Sequence, residues 1–461
     1  MDKLFKNLDK YKKNIALINM DGEKYTYNDI LKFSKKINSK IKKKSIILLI
    51  VSNNTESIKG YISFIRSENL SIILDKSFKT EFAEKIIHKY KPEYIYTPKN
   101  FLKDIFSQEI VFNGIDYVLY RTIYKKKIKI NKKNLILLTT SGTTQNPKLV
   151  RISNLNITEN TKRISDYLQI NSKHTTITTM PMGYSFGLSI INTHLHKGSK
   201  ILVNEKTVFD KIFWENIKRY KITSFGGVPN FYEILKKLRF ENFYSPTLKY
   251  LTQAGGKLNI ETLKYFEKIC RKKKLKFFVM YGQTEASPRM SYLNFNKLSE
   301  NLGSIGKPLK NTLFRLVDDK KKFITKPNVV GEIVFYGKNV CLGYANNIND
   351  FSKGDINKSR LFTGDLGYKN TKGYYYITGR KNRFAKIFGV RVNLDDIEHC
   401  LRKENYNIKC LNDDNSLKIL VEKNYNFENI KNITYKNFGI RPNSINIQKV
   451  ESFIERKSYK N

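Results

Sequence analysis

Continuous apolar runs that alternate with helical patterns constrain the fold of this chain more than any other feature. The run SIILLIVS at 45–52 is apolar almost throughout, which is typical of a buried strand. A helical pattern at 56–67, an apolar run at 71–75, a helical pattern at 80–90 and the strand-like EYIYT at 93–97 follow it. This alternation predicts a parallel α/β sheet, because parallel strands need a long crossover connection that is usually a helix.

The alternation resumes in the middle of the chain and changes character after residue 303. Helical patterns at 154–168, near 189–195, at 207–219 and at 230–239 alternate with the strand-like runs TTITTM, SKILV, TSFGGV and KYLTQAGG. Short strands punctuated by glycine, such as GEIVFYG and GYYYITG, then predict an antiparallel β subdomain. The last segment begins after ITGR and contains the strand–turn–helix pattern AKIFGVRVNLDDIEHCL.

Apolar content and cysteine spacing bound the class of protein. No apolar run reaches the ~18 residues that suggest a transmembrane helix, and the N-terminus lacks the apolar core of a signal peptide. The four cysteines are scattered without C-x-x-C spacing, which predicts free thiols in a reducing compartment and no structural zinc. We therefore expect a cytoplasmic protein without a transmembrane segment.

The net charge of +44 raises the question of a polyanionic partner. Nucleic acid, an anionic membrane and an acidic carrier protein are all compatible with such a charge. However, the basic residues are mostly lysines spread along the chain, and asparagine and isoleucine are abundant too, as a compositional bias would produce. No zinc finger, RNA-recognition signature or basic zipper is present, so we expect no specific nucleic-acid partner.

The segment TTSGTTQNPKLV at 139–150 is rich in groups that bind anions. Its hydroxyls and lysine can contact phosphate oxygens. It does not match the P-loop pattern, because Pro147 stands at the second glycine and Leu149 at the final hydroxyl. Since Ser, Thr, Asn, Gly and Pro are also ordinary turn residues, the segment alone leaves a phosphate site and a polar turn open.

Five further stretches occur downstream of this segment. They are PMGYSFG (181–187), TQAGGKL (252–258), YGQTEAS (281–287), FTGDLGY (362–368) and GRKNRFAKIFGVRV (379–392). Taken singly, the notable residues of each stretch could be turn residues, core aromatics or surface charges. In this order and combination they resemble the adenylate-forming superfamily. That superfamily comprises acyl-CoA synthetases, adenylation domains of peptide synthetases and luciferase-like ligases. The resemblance runs from DGEKYTYNDILKF (21–33) to the C-terminus.

The resemblance implies a fold and a domain organisation. The fold is α/β: a large N-terminal domain of two α/β subdomains with parallel sheets plus a small β subdomain, followed by a small mobile α+β domain. The N-terminal adenylate-forming (AMP-binding) domain would span 1–379, and a shortened C-terminal domain 380–461.

The resemblance also implies the residues that bind ATP. The phosphate loop (139–148) would bind the β- and γ-phosphates through Thr139, Thr140, Ser141, Gly142, Thr143, Thr144 and Lys148. Tyr281, followed by Gly282, would stack on adenine, and Gln253, Gly255 and Gly256 would line the adenine and acyl pocket. Asp365 would accept hydrogen bonds from the ribose hydroxyls, and Arg380 would contact ribose or phosphate.

Further roles concern the reacting groups. Thr284 would contact phosphate, Glu285 would bind Mg²⁺, and Tyr184 would shape the approach of the acid. Gly389 and Arg391 would lie in the segment that faces the thiol tunnel. The best alignment places Lys460 on the catalytic lysine near the family's C-terminus; a lysine-rich frayed tail is the alternative.

The implied reaction activates a carboxylic acid with ATP. The acid attacks the α-phosphate, pyrophosphate leaves, and a thiol then displaces AMP from the acyl-adenylate. The thiol acceptor would be CoA or the phosphopantetheine of an acidic acyl carrier protein. Ser185 stands where amino-acid-activating members carry an aspartate, so we expect a fatty or aryl acid rather than an α-amino acid.

The chain departs from the family pattern at several positions. Gln145 and Leu149 replace glycines of the phosphate loop, Asn382 stands at the hinge, and Tyr459 replaces a glycine beside Lys460. A tyrosine adopts positive φ only at a cost, which weakens the assignment of Lys460. A catalytically degenerate nucleotide-binding member, an amino-acid-activating ligase and a basic nucleic-acid binder remain as alternatives.

Overall fold

The computed structural model describes residues 3–42, 44–102, 107–125, 129–139, 148–387, 390–413 and 416–450. The chain forms two compact units. The first comprises Met1–Leu313 and Phe335–Leu361, and the second comprises Phe314–Val334 and Phe362–Asn461. The domain boundary at 379/380 stays a prediction.

A nine-stranded sheet forms one half of the first unit. In spatial order its strands are β16 (Lys307–Pro308), β15 (Arg289–Leu293), β14 (Lys276–Gly282), β13 (Tyr250–Gln253), β12 (Ser224–Gly227), β10 (Thr175–Ile177), β11 (Lys200–Leu202), β1 (Ile15–Ile18) and β2 (Lys24–Thr26). The central strands from β14 to β1 are parallel, and the outer strands β2, β15 and β16 pair antiparallel.

An eight-stranded sheet forms the other half. Its spatial order is β20 (Tyr344–Ala345), β9 (Leu149–Ser153), β8 (Asn134–Thr139), β4 (Leu70–Asp75), β3 (Ile46–Val51), β5 (Tyr94–Pro98), β7 (Tyr117–Thr122) and β6 (Ser107–Asn113). The strands β8, β4, β3 and β5 are parallel, and β3 and β4 are buried along their whole length. The antiparallel pair β6–β7 was not predicted, although Asn113–Gly114 is a recognisable hairpin signal.

Within the described residues of the first unit, eight helices connect these strands: α1 (Tyr27–Asn38), α2 (Thr55–Arg66), α3 (Thr80–Tyr90), α4 (Asn154–Tyr167), α5 (Ser185–His196), α6 (Lys211–Arg219), α7 (Pro229–Lys237) and α8 (Ile260–Lys272). Capping boxes start α1 and α4, where Thr26 and Ser153 accept hydrogen bonds from the third residue of each helix. The helix predicted near 189–195 begins earlier, at Ser185.

The second unit contains most of a five-stranded sheet and an α+β segment. The sheet has the order β18 (Phe323–Ile324), β17 (Leu313–Val317), β19 (Gly331–Tyr336), β21 (Arg360–Lys369) and β22 (Tyr375–Arg380). The α+β segment contains β23 (Phe384–Ile387), β24 (Val390–Asn393), α9 (Leu394–Lys403), β25 (Ile408–Asp413), β26 (Ser416–Val421), α10 (Phe427–Phe438) and β27 (Ile445–Lys449). Ile397, Leu401 and Ile419 lie in its apolar core.

These elements confirm the predicted fold class, with parallel α/β sheets, a β subdomain and a terminal α+β segment. The mobility of that last segment stays a prediction. Among the described residues, no helix has the length and apolar character needed to cross a membrane. All four cysteines are free thiols.

Arg151 on β9 is fully buried and ties this strand to residues 342–354. Its guanidinium donates to the carbonyls of Leu342 and Gly354 through Nη2, at 2.9 and 3.0 Å. It also donates to Tyr344 O at 3.2 Å and to Lys353 O at 2.6 Å. One side chain therefore supplies the donors for four main-chain acceptors.

We expect Arg151→Met to lower the free energy of unfolding by about 3 kcal/mol or more, because four carbonyls lose their donor. Urea denaturation measures this change. Arg271→Met is the matched control, since Arg271 is exposed in an ion pair with Glu267 on α8 and its loss should cost less than about 1 kcal/mol. Equal effects of the two substitutions would contradict a structural role for Arg151.

Candidate active site

The phosphate loop is framed by two paired strands. β8 ends at Thr139 and β9 begins at Leu149, and these two residues are register partners. Thr139 is half-buried and Lys148 is exposed immediately before β9. Thr140, Ser141, Gly142, Thr143 and Thr144 lie outside the described residues, as does Gln145.

The structure brings the motifs at 181–187 and 281–287 together. Ser185 Oγ and Thr284 Oγ1 lie 3.2 Å apart, so the two hydroxyls share a hydrogen bond. Tyr184 is the half-buried N-cap residue of α5. Gly187 allows this helix to start close to the preceding chain, because a Cβ at this position would lie 2.1 Å from Pro181 O. Two motifs about a hundred residues apart therefore form one polar corner.

Glu285 is held by residues 341–344. It follows β14 in a short 3₁₀ turn, Thr284–Ala286. Its Oε1 accepts a hydrogen bond from the Tyr344 hydroxyl at 2.7 Å, and its carbonyl accepts one from Cys341 N–H at 2.8 Å. Desolvation and the neighbouring carboxylate raise the pKa of Tyr344, so this residue stays a neutral donor. Tyr344 was missed from sequence, and no local signal pairs it with Glu285.

The donor set at Glu285 is compatible with Mg²⁺. Within the part of the chain that the structure describes, no cluster of three or more His, Cys, Asp or Glu side chains could hold a metal. A single carboxylate suits a hard cation that takes its remaining ligands from phosphate oxygens and water.

The carboxyl ends of the parallel strands β13 and β14 form a second part of the site. Gln253 ends β13, is fully buried, and donates from Nε2 to Gly256 O at 2.8 Å. Its Oε1 is buried and accepts no hydrogen bond from the described residues. This acceptor is available to a ligand that carries a hydrogen-bond donor.

Three glycines keep the backbone compact around this acceptor. Gly255 has φ +84°, and a Cβ at Gly256 would lie 3.0 Å from Pro229 Cγ. Tyr281 lies half-buried near the end of β14, and a Cβ at Gly282 would lie 2.2 Å from Pro288 O. The carboxyl ends of parallel strands are where ligands bind in open α/β sheets, and here the backbone is closely packed at that edge.

A small cavity lies between α5 and the strands β12, β13 and β14. Its walls combine apolar side chains with hydroxyls, and His194 and Arg289 also line it. His194 is buried, with Nδ1 2.8 Å from Ile190 O and Nε2 3.0 Å from the Tyr250 hydroxyl. Burial lowers the pKa of His194 to about 4, so the imidazole is neutral at pH 7.

The second unit holds the other predicted nucleotide contacts. Asp365 on β21 is buried, and its Oδ1 lies 3.0 Å from Nε of the exposed Arg380 on β22. The Thr363 hydroxyl accepts from Asp365 N–H at 3.1 Å. The segment after these strands is described only in part: Gly389 and Lys460 lie outside the described residues, and Arg391 is placed on β24 by its backbone alone.

Comparisons with known proteins agree with this architecture. The family model described as AMP-binding enzyme matches residues 4–345. An oxalate–CoA ligase of Saccharomyces cerevisiae is 27% identical over 309 residues, which are 66% of this chain and 55% of that protein. A 2-succinylbenzoate–CoA ligase of Bacillus cereus is 28% identical over 59% of this chain and 54% of its own length. The chain thus spans little more than half the length of these relatives.

Solved structures extend the likeness in fold to nearly the whole chain. An o-succinylbenzoate CoA synthetase from Bacillus subtilis, in complex with its acyl-adenylate intermediate, superposes with a TM-score of 0.78 at 19% identity. This superposition covers 98% of this chain and 95% of that one. An amide bond synthetase from Marinactinospora thermotolerans gives a TM-score of 0.74 at 15% identity, over 98% and 97% of the two chains.

The neutral state of His194 predicts a pH dependence of stability. The folded protein protonates His194 only near pH 4, whereas an unfolded histidine takes up its proton near pH 6.5. The unfolded state binds more protons between these values, so the free energy of unfolding falls as the pH falls through this window. His194→Gln should reduce the loss between pH 7 and pH 5 by about 2 kcal/mol.

Urea denaturation at the two pH values measures this difference. His88→Gln is the control, because His88 is exposed on α3, and it should show the full wild-type loss. An unchanged pH dependence in His194→Gln would contradict the buried neutral imidazole.

Proposed function

Because this chain belongs to the AMP-binding enzyme family, we propose that it is an ATP-dependent acid–thiol ligase. It activates a carboxylic acid to an acyl-adenylate with release of pyrophosphate and transfers the acyl group to a thiol. The observation that supports this most is the polar corner at the carboxyl end of β14, where the Ser185 hydroxyl meets the Thr284 hydroxyl and Glu285 follows in the same turn.

ATP would bind at the ends of β13 and β14. The unpartnered Oε1 of Gln253 would accept a hydrogen bond from the adenine amino group, and Tyr281 would stack on the ring. The phosphate loop, Thr139 to Lys148, would bind the phosphates with hydroxyls and one lysine. The sequence-based roles of Asp365, Arg380, Gly389 and Arg391 remain part of this proposal.

The chemistry requires two anions to react. The substrate carboxylate attacks the α-phosphorus, the bond to the pyrophosphate oxygen breaks, and pyrophosphate leaves. The hydroxyls of Ser185 and Thr284 would donate hydrogen bonds to the reacting oxygens, and Lys460 would stabilise the charge that builds there. Mg²⁺ bound by Glu285 would offset the negative charge of the phosphates.

The second step transfers the acyl group. The sulfur of the acceptor thiol attacks the adenylate carbonyl, the bond to the AMP oxygen breaks, and AMP leaves as the thioester forms. CoA and the phosphopantetheine of an acidic carrier protein both carry this thiol and a negative charge, which suits a chain of net charge +44.

The acid is proposed to be a fatty or aryl acid rather than an α-amino acid. Ser185 forms a hydrogen bond with Thr284 and supplies no charge that would pair with an ammonium group. The similar ligases named for oxalate, 2-succinylbenzoate and long-chain fatty acids act on different acids, so they do not select one. A clear preference for an amino acid in ATP–pyrophosphate exchange would contradict this assignment.

The free cysteines support a cytoplasmic location, where thiols stay reduced. Recovery of the native protein mainly from a membrane or secreted fraction would argue against this proposal.

A degenerate nucleotide-binding member is the second candidate, because Tyr459 replaces a glycine beside Lys460. It predicts saturable AMP binding without turnover of any acid.

Glu285→Gln should reduce acid-dependent ATP–pyrophosphate exchange by about 10²-fold or more, because the metal-binding charge is lost. AMP affinity should change little, since AMP lacks the β- and γ-phosphates. Glu300→Gln is the control, because Glu300 is an exposed partner of Lys297. Full exchange activity in Glu285→Gln would remove this carboxylate from the proposed metal site.

Lys460→Ala should abolish adenylate formation but spare the thiolysis of a supplied acyl-adenylate. The reason is that the lysine stabilises charge only in the first step. Single-turnover assays of the two half-reactions measure this separation, with Lys457→Ala as the neighbouring control. If Lys460→Ala kept full adenylation, the catalytic assignment would be wrong.

A further inference from the structure

Arg289 is a fully buried cation in the wall of the cavity. It begins β15, and 2% of its surface is exposed. Asn160 fixes its backbone from both sides, since Arg289 N–H donates to Asn160 Oδ1 at 3.1 Å and Asn160 Nδ2 donates to Arg289 O at 2.7 Å. The side chain is thereby held among the lining residues of the cavity.

The charge of Arg289 has no counterion among the described residues. No ion pair there includes it, and its Nε is buried without a hydrogen-bond partner. Its guanidinium carbon lies 5.2 Å from the centre of the Phe186 ring. The guanidinium hydrogen-bonds to the Tyr167 hydroxyl, which lies 2.8 Å from Met280 Sδ. Burial raises the pKa of this phenol, so it stays neutral and supplies no counterion.

The rest of the cavity cannot balance this cation either. His194 is neutral, and the other lining side chains are apolar or carry hydroxyls. Arginine does not lose its proton in proteins, although burial lowers the pKa of Arg289. A buried charge without a counterion lowers the stability of the fold. An anion bound at Arg289 would offset this cost.

Two other arginines of the first unit have hydrogen-bond or ion-pair partners for their guanidinium groups. Arg151 is equally buried but donates to four carbonyls. Arg163 on α4 is partly buried and pairs with Glu159 at 3.0 Å. Arg289 differs from both, because its side chain has only the neutral Tyr167 hydroxyl as a partner among the described residues and because it lines a cavity.

The cavity wall and the polar corner proposed to orient the reacting carboxylate meet at consecutive residues of α5. Phe186, which packs under the Arg289 guanidinium, directly follows Ser185 in α5. Gly226 leaves room for this ring, since a Cβ there would lie 3.0 Å from Phe186 Cζ. An acid that reacts beside Ser185 would therefore extend its other end along Phe186 towards Arg289.

We propose that Arg289 binds a second carboxylate on the acid substrate, so that this enzyme activates dicarboxylic acids. The inference rests on the proposed function and names its substrate class. One carboxylate reacts at the corner of Ser185 and Thr284, the apolar spacer lies along Phe186 and Met280, and the distal carboxylate receives two N–H···O bonds from the guanidinium.

Matched pairs of acids test the proposal by ATP–pyrophosphate exchange: adipate against hexanoate, suberate against octanoate, and terephthalate against 4-methylbenzoate. We expect at least one dicarboxylate to exceed its monocarboxylate in kcat/KM by about 100-fold. Arg289→Met should lower this ratio by about 100-fold, and Arg289→Lys should recover only part of it, because lysine lacks the planar fork. Arg163→Met is the control and should leave the ratio unchanged.

Stability separates a ligand-binding role from a structural one. Arg289→Met removes an unpaired buried charge, so its urea midpoint should equal or exceed that of the wild type. A strongly lowered midpoint, with an unchanged preference for dicarboxylates, would mean that Arg289 supports the fold instead.

Binding distinguishes failure of the inference from failure of the proposed reaction. Calorimetric titration of the same acids in the presence of AMP needs no turnover. Dicarboxylate binding that requires Arg289, without exchange on any acid, would support the site and overturn the ligase reaction. Exchange that favours monocarboxylates and is indifferent to Arg289→Met would overturn the dicarboxylate site and leave the ligase intact. Absence of both exchange and dicarboxylate binding would overturn both.

Discussion

Arg151 donates to the carbonyls of Leu342, Tyr344, Lys353 and Gly354 from a fully buried position on β9. The same strand leaves the phosphate loop and pairs with β20 through Val150 and Tyr344. Tyr344 in turn donates to the carboxylate of Glu285. One buried guanidinium thus links the exit of the proposed phosphate loop to the carboxylate proposed to bind Mg²⁺. The relative position of these two groups therefore depends on the buried Arg151 side chain, on the pairing of β9 with β20 and on the hydroxyl of Tyr344.

The two fully buried arginines of the first unit use their charge differently. Four of the five N–H groups of Arg151 donate to carbonyl oxygens, which fix the backbone. Arg289 has an aromatic face and a neutral phenol for neighbours, and its Nε has no partner among the described residues. A site that keeps an unpaired charge sacrifices stability for recognition. The proposed specificity determinant therefore lies in the cavity wall, whereas the proposed reacting groups lie at the strand ends.

Much of this arrangement follows from the sequence, because it depends on local patterns. The apolar runs predicted the central strands, and the motifs at 181–187 and 281–287 identified two segments that meet through Ser185 and Thr284. Tyr344 and Arg289 could not be assigned in this way, because their roles depend on neighbours brought close only by the folded sheets. The sequence alone does not distinguish a buried arginine from an arginine at the surface. Thr140 to Thr144, Gly389 and Lys460 lie outside the described residues, so their roles remain predictions.

Direct detection of the intermediate tests the central claim most directly. The protein would be incubated with ATP, Mg²⁺ and a mixture of mono- and dicarboxylic acids, without any thiol, then quenched and analysed by mass spectrometry. We predict an acyl-adenylate that forms in proportion to the enzyme, depends on Mg²⁺, and is consumed when CoA is added. Bound ATP or AMP without any acyl-adenylate, across all acids, would contradict the account and indicate a nucleotide-binding protein that does not activate acids.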